Sequence, residues 1–99
     1  MSMRIKSRKP THPGAILRED ILPSLGITQT ELAVRLGVSR RTVSQIIHEQ
    51  RPLTTDTAIR LAYYLGTTPE SWLNMQLTLD VWELKHKNAR QYKKIEQAA

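Results

Sequence analysis

The sequence predicts an all-α domain of five helices, with a basic arm before it and a basic tail after it. Apolar residues recur at helical spacing in five segments separated by Gly, Pro or Thr, and no alternating strand pattern competes with them. With 99 residues, 39% of them hydrophobic and none of them Phe, the chain is expected to build one core of small aliphatic side chains. We divide it into a flexible arm (1–11), a domain (12–84) and a tail (85–99).

The first two helices are predicted from the segments HPGAILREDILPSLG and ITQTELAVRLG. Pro13 suits the first position of a helix, and Pro23 and Gly26 are expected to end that helix. In the second segment Thr28 and Glu31 have the spacing of a capping box, in which each side chain satisfies a free backbone donor. The second helix is therefore expected to begin at Thr28.

Three more helices follow. Gly37 breaks the second helix, and Ser39 is a good N-cap for a third helix that runs to about His48. The segment TDTAIRLAYYLG predicts the fourth, with Gly66 at its C-terminal end. The segment TTPESWLNMQLTLDVWELKHK predicts the fifth, capped by Thr68. Its interior contains no helix breaker, so it is expected to extend into the basic tail.

Residues 28–48 have the layout of a helix-turn-helix. Ala33 is small enough to let two helices approach at a steep angle, and Gly37 permits the backbone conformation of the turn. Val43 and Ile46 are core positions of the second helix. This second helix is the recognition helix, the element that enters a nucleic-acid groove in such motifs.

The exposed face of the recognition helix carries hydrogen-bond donors and no acid. At about 100° per residue, Arg41, Gln45 and His48 lie opposite Val43. Arginine pairs with guanine and glutamine with adenine in the major groove. The residues predicted to contact DNA bases or phosphates are Gln29, Ser39, Arg40, Arg41, Thr42, Ser44, Gln45, His48, Arg51 and Thr54. The alternative is an ordinary solvated helix face, and for Thr54 a role as a helix cap only.

The positive charge lies in the ends of the chain. The net charge is +6, made up of +4 in residues 1–12, −2 in residues 13–83 and +4 in residues 84–99. A basic chain indicates nucleic acid as a partner, but here the overall charge describes mainly the two ends. These ends are suited to phosphate, to an acidic partner, or simply to solubility.

Several functional classes are excluded or disfavoured. Without cysteine there is neither a disulfide nor a thiolate metal site. His12, His48 and His86 lack metal-ligand spacing, and no catalytic constellation is present, so no metal, no cofactor and no enzymatic activity are expected. No apolar run approaches the roughly 18 residues of a membrane span, so we expect a soluble, cytoplasmic protein.

The fifth helix has more large apolar residues than a small core needs. Some of them complete the core, and the surplus predicts a contact surface. The predicted homodimer interface consists of Trp72, Leu79 and Trp82. Two-fold symmetry would place two recognition helices roughly 34 Å apart, one turn of DNA.

The segment TQTELAVRLGVSRRTVSQI resembles the XRE, or lambda-repressor-like, helix-turn-helix family. The segments HPGAILREDILPSLGIT, LTTDTAIRLAYYLGTTPESWLN and LDVW resemble HigA-type antitoxins of toxin–antitoxin modules, and the likeness spans about residues 10–84. Two positions differ from the family pattern: Ala15 stands where Glu is frequent, and Leu79 where Tyr is frequent.

The resemblance implies a homodimer that binds a palindromic operator through the major groove and represses its own operon. It also implies a protein partner, a toxin similar to RelE-type (HigB-type) messenger-RNA ribonucleases, which the antitoxin neutralises. Two alternatives remain open at the level of sequence. One is an XRE-family regulator, similar to phage repressors, without a toxin partner. The other is a protein-interaction module that has lost DNA binding.

Overall fold

Every regular element of the computed structural model, which describes residues 8–98, is helical. The elements are α1 (Pro13–Ile16), the π-helical turn π1 (Leu17–Ile21), α2 (Leu22–Leu25), α3 (Gln29–Leu36), α4 (Arg40–Ile47), α5 (Thr55–Leu65), α6 (Pro69–Lys87) and α7 (Ala89–Lys93). The first three are continuous and form the predicted first helix. The all-α prediction is confirmed for the described residues; positions 1–7 of the predicted arm lie outside them.

The first helix is expected from the sequence to end at Pro23 and Gly26. It passes through Pro23 and continues to Leu25. Proline lacks the N–H that would donate to the carbonyl four residues earlier, and its ring presses on that carbonyl. The turn just before Pro23 is π-helical, with the Leu22 N–H donating to the Leu17 carbonyl five residues back. This wider turn accommodates the ring. Gly26, at φ 66°, then ends the helix.

The predicted helix starts are confirmed in atomic detail. The Glu31 N–H donates to Thr28 Oγ1 at 3.1 Å and the Thr28 N–H donates to Glu31 Oε1 at 3.0 Å, which completes the capping box. The hydroxyls of Ser39, Thr54 and Thr68 accept hydrogen bonds in the first turns of α4, α5 and α6. Local side-chain chemistry therefore sets four of the helix starts.

One hydrophobic core joins the helices. Its members, each at most 5% exposed, are Leu17, Leu32, Ala33, Leu36, Val43, Ile46, Ile47, Leu53, Ala58, Leu61 and Trp72. They come from π1 and every helix from α3 to α6, and from the segment between α4 and α5. Gly37, at φ 72°, makes the turn between α3 and α4. The helix-turn-helix pair thus sits on a single core, with one side of α4 facing outward.

Helical structure and contacts extend beyond the predicted domain (12–84), as expected for the fifth helix. Helix α6 continues to Lys87, and α7 lies within the predicted tail, so the described chain has one helix beyond the predicted five. At the other end, Lys9 Nζ lies 3.5 Å from Glu83 Oε2, so the last residues of the predicted flexible arm contact α6. Within residues 8–98 no helix has the length and hydropathy of a transmembrane segment.

Candidate nucleic-acid interface

Helix α4 has a buried side and a polar side. Val43, Ile46 and Ile47 are buried at 3%, 2% and 0% exposure. Arg40, Arg41 and His48 are exposed, while Thr42, Ser44 and Gln45 are half-buried. The polar side contains no acidic residue. The structure therefore brings the six predicted polar residues of residues 40–48 to the outward side of one helix.

The first turn of α4 holds a hydrogen-bonded group of three side chains. Ser39 Oγ accepts from the Thr42 N–H at 3.0 Å and lies 2.8 Å from Thr42 Oγ1. Arg51 Nη1 donates to Thr42 Oγ1 at 3.0 Å. The Arg51 guanidinium is thereby held at the positive end of the α4 helix dipole, where an anion is favoured. Arg40 and Arg41 have no side-chain hydrogen bond or ion pair to residues 8–98, so they project freely.

At the other end of α4 the orientation of His48 is fixed. Its Nδ1 lies 2.8 Å from the Ser44 carbonyl oxygen and 3.4 Å from Ser44 Oγ. A carbonyl oxygen only accepts, so Nδ1 carries the proton and Nε2 is left for an external partner. When the ring carries this single proton, Nε2 presents an acceptor on the outward side.

The two predicted contact residues outside the α4 region occupy helix starts. Gln29 is the first residue of α3 and is half-buried. Thr54 caps α5, accepting from the Thr57 N–H at 3.3 Å and donating to Thr57 Oγ1 at 3.2 Å. The capping role considered for Thr54 is therefore present.

Arg18, which the sequence did not single out, secures the C-terminal end of α4. Its Nη1 donates to the Ile47 carbonyl at 2.6 Å, and its Nη2 reaches Glu19 Oε2 at 3.0 Å and Glu49 Oε2 at 3.2 Å. The hydrogen bonds that Arg18 donates to Glu19 and, to a lesser extent, to Glu49 raise the pKa of Arg18. Glu49 itself has the unusual φ of 60° for a non-glycine residue. The guanidinium therefore ties the first helix to the end of the recognition helix.

The HPG segment places α1 directly against α4. His12 is buried, and its Nδ1 accepts from the Gly14 N–H at 2.9 Å as the cap of α1. A Cβ at position 14 would overlap the Ile46 carbonyl oxygen and lie 2.7 Å from the Ile46 carbonyl carbon. Position 14 therefore requires glycine because the backbones of two helices touch there. The requirement comes from a contact 32 residues away in sequence, which no local pattern reveals.

Gln76 connects α6 to the segment between α4 and α5. It is 6% exposed; its Oε1 accepts from the Leu53 N–H at 2.9 Å, and its Nε2 donates to Asp80 Oδ1 at 2.9 Å. That segment carries Arg51 and Thr54, so Gln76 positions two of the predicted contact residues from the opposite side of the domain.

The placement of the predicted dimer residues requires a correction. Trp72 and Leu79 are 4% and 2% exposed within a single chain, and Trp72 Nε1 donates to Thr67 Oγ1 at 2.9 Å. Their side chains are already covered by their own chain and are not available to a second copy. Trp82 is half-buried and stacks on His86 with ring centroids 3.9 Å apart.

A different stripe of α6 is exposed and apolar. Leu77, Val81 and Leu84 are 60%, 43% and 48% exposed. Their spacing of four and three residues puts them on one side of the helix, turned away from Trp72 and Leu79. Helix α6 is thus apolar on two opposite sides, and among residues 8–98 only the side of Trp72 and Leu79 is buried. Among residues 8–98 there is no cluster of three or more His, Cys, Asp or Glu side chains arranged to bind a metal ion.

Several known proteins are similar to this chain in fold and in sequence. The model of the helix-turn-helix family matches residues 17–73. Antitoxin HigA-1 of Vibrio cholerae is 42% identical over 85 residues, which cover 86% of this chain and 80% of that protein. The uncharacterized HTH-type transcriptional regulator YbaQ of Escherichia coli is 44% identical over 84 residues, covering 85% of this chain and 74% of the other.

A solved structure of the Pseudomonas aeruginosa antitoxin HigA with the higBA promoter superimposes with a TM-score of 0.86 at 37% identity. It covers 91% of this chain and 99% of that chain. These matches show a family of DNA-binding regulators and antitoxins rather than enzymes, which confirms the expectation that the protein is not an enzyme. The chain therefore belongs to the XRE-type helix-turn-helix family, in the branch that contains the HigA-type antitoxins.

Proposed function

We propose that this protein is the antitoxin of a toxin–antitoxin module and the sequence-specific repressor of its own operon. The observation that carries the proposal is the outward side of α4, where Arg41, Gln45 and His48 stand without an acidic neighbour on the helix. In this proposal the three side chains read base edges in the major groove. The HigA of Pseudomonas aeruginosa, with a promoter in its solved structure, supports DNA as the ligand.

Four of the remaining predicted contact residues are assigned to phosphate. Arg51, held beside Thr42 in the first turn of α4, and Arg40, exposed in that turn, are placed to neutralise phosphate charge. Gln29 and the start of α5 at Thr54 add backbone donors at helix N-termini, which bind phosphate oxygens. These contacts fix the orientation of α4, while base contacts provide specificity.

The proposal includes a homodimer on a palindromic operator. The exposed stripe of Leu77, Val81 and Leu84 is the surface that we assign to the second copy, since Trp72 and Leu79 are covered within the chain. Apolar side chains in contact across a two-fold axis exclude water from both copies. Val81→Lys is therefore expected to give a monomer in sedimentation, and Thr78→Lys, at an exposed polar position of the same helix, a dimer.

The proposal also includes a protein partner, a RelE-like ribonuclease toxin that the antitoxin neutralises in the cytoplasm. The 42% identity to the Vibrio cholerae antitoxin HigA-1 supports this function. The test is co-expression with the product of the adjacent gene. Growth rescue together with co-purification supports the toxin partner, whereas neither effect would favour an XRE-family regulator without one.

The DNA-reading part is tested on the promoter of the protein's own gene. Arg41→Ala is expected to weaken binding by about 1–3 kcal/mol and to relax the preference for one base pair. Arg35→Ala is the matched control, since Arg35 is also exposed and forms no ion pair with residues 8–98, yet lies on α3. Unchanged affinity and base preference in Arg41→Ala would show that the outward side of α4 does not read DNA. If the wild type itself does not bind the promoter, the interaction-module alternative is favoured.

A further inference from the structure

The chain beyond Leu84 carries positive charge that the fold itself does not use. Five cationic side chains, which we call the cationic extension, lie on the last turn of α6, on α7 and just after it: Lys85, Lys87, Arg90, Lys93 and Lys94. All five are exposed, and none forms an ion pair or a side-chain hydrogen bond with residues 8–98. Lys85 and Lys87 favour the negative end of the α6 dipole, but the other three lie beyond that helix.

The rest of the domain has no excess of positive charge with which to attract DNA. Residues 13–83, which include the whole helix-turn-helix, have a net charge of −2. The arginines of the recognition helix are therefore offset by acids elsewhere in the domain. Non-specific attraction to DNA depends on cations that replace counterions on phosphates. Additional cations would therefore raise the non-specific attraction of this domain to DNA beyond what Arg40 and Arg51 supply.

The extension starts close to the recognition helix. Asp80 and Glu83 of α6 line the same cleft, of about 310 Å³, as residues 49–52, which directly follow α4. Helix α6 advances about 1.5 Å per residue, so Lys87 lies roughly 6 Å beyond Glu83 along the axis. Of the acids near this start, Glu49 pairs with Arg18 and Glu83 with Lys9, while Asp80 accepts a hydrogen bond from the neutral amide of Gln76 and keeps its charge. The cations therefore begin close to residues 49–52, which follow α4, and within residues 8–98 they form no ion pair with these acids.

From these observations we propose that the cationic extension is a second, sequence-independent DNA contact that binds phosphates flanking the site read by α4. This inference rests on the DNA binding proposed above and adds a further source of its electrostatic affinity. The two DNA contacts then have different roles. Helix α4 selects the sequence, and the extension supplies affinity that every DNA duplex receives equally. The competing hypothesis is that the extension binds an acidic protein. That hypothesis predicts no change in DNA binding when the cations are removed.

The test measures affinity for the promoter duplex and for a scrambled duplex of equal length over a range of salt concentrations. In one full-length variant all five cations become Gln, and in a second only Arg90, Lys93 and Lys94 do, which leaves α6 intact. A third variant replaces the four lysines with Arg and so keeps the charge. The plot of log affinity against log salt should become less steep by about 0.9 for each phosphate that the variant no longer neutralises. Both Gln variants should show this change on both duplexes, and the Arg variant should match the wild type.

The outcomes separate this inference from the proposed function. A shallower slope with an unchanged promoter-to-scrambled ratio supports the inference. Equal slopes for the wild type and both Gln variants would overturn it and favour an acidic partner. If the wild type shows no preference for the promoter but the slopes still differ, the proposed operator binding fails and the phosphate contact stands. Because Arg90, Lys93 and Lys94 lack partners in residues 8–98, the thermal midpoint of the three-residue Gln variant should equal that of the wild type, while the five-residue variant also loses the interaction of Lys85 and Lys87 with the α6 dipole.

Discussion

The contact between α1 and α4 at Gly14 gives a sharp prediction about stability. In Gly14→Ala the new methyl group would overlap the Ile46 carbonyl oxygen and lie 2.7 Å from its carbon, and it would approach His12 Nδ1 to 3.1 Å. A flexible side chain would move aside, but a backbone carbonyl within a helix moves only with the helix. The substitution therefore has to separate α1 from α4.

The expected magnitude follows from two opposing effects. Alanine is favoured over glycine inside a helix by about 0.5–1 kcal/mol. Overpacking a closely packed site costs about 1–3 kcal/mol and sometimes more. Because the clash involves backbone, we take the upper part of that range, which leaves a net loss of about 2 kcal/mol. For a domain of this size such a loss lowers Tm by roughly 8–16 °C.

The assay combines urea unfolding with promoter binding at a temperature at which the variants remain folded. Gly26→Ala serves as the comparison, because a Cβ there meets nothing within 4 Å and only the φ of 66° is strained. Both variants should lose stability, but only Gly14→Ala should also weaken promoter binding, since only it displaces α4. An unfolding free energy of Gly14→Ala within about 0.5 kcal/mol of the wild type would refute the proposed backbone contact.

Three further substitutions test the supports of the recognition helix. Gln76→Leu should lose about 1–3 kcal/mol of stability in urea unfolding, because it leaves the buried Leu53 N–H without an acceptor; an unfolding free energy equal to that of the wild type would contradict this. Arg18→Met should speed amide hydrogen exchange at the end of α4, since the Ile47 carbonyl loses its partner, and unchanged exchange there would argue against this tie. Thr28→Ala should cost about 1 kcal/mol through loss of the capping box, and a thermal midpoint equal to the wild type would count against it.

The features predicted correctly from the sequence depend on neighbours within four residues. The pair Thr28 and Glu31, the N-cap Ser39 and the turn at Gly37 are each local, so the helix starts and the helix-turn-helix could be located by inspection. The buried side of α4 follows from the same spacing, since Val43 and Ile46 share one side of the helix. The candidate site was predictable to the extent that it lies on one helix.

The supports of that helix were not predictable, because each joins distant parts of the chain. Arg18 contacts Ile47 at a separation of 29 residues, and Gln76 contacts Leu53 at a separation of 23. Without the fold, the first is an ordinary charge on a helix and the second an ordinary surface amide. Their roles follow only from packing, which brings the end of α4 and the following segment against the first helix and α6.

In helix α6 the spacing of the apolar residues does not identify the buried side. Trp72 and Leu79 form one apolar stripe, and Leu77, Val81 and Leu84 form another on the opposite side. Both have helical spacing, so periodicity alone does not decide which stripe faces the core. Gln76 lies on the side of Trp72 and Leu79, and a polar residue makes that side resemble a surface. It is nevertheless the buried side, because the amide satisfies a backbone N–H and a carboxylate there. The hydrogen bonds of one amide thus allow the side of α6 that carries a polar residue to be the buried side.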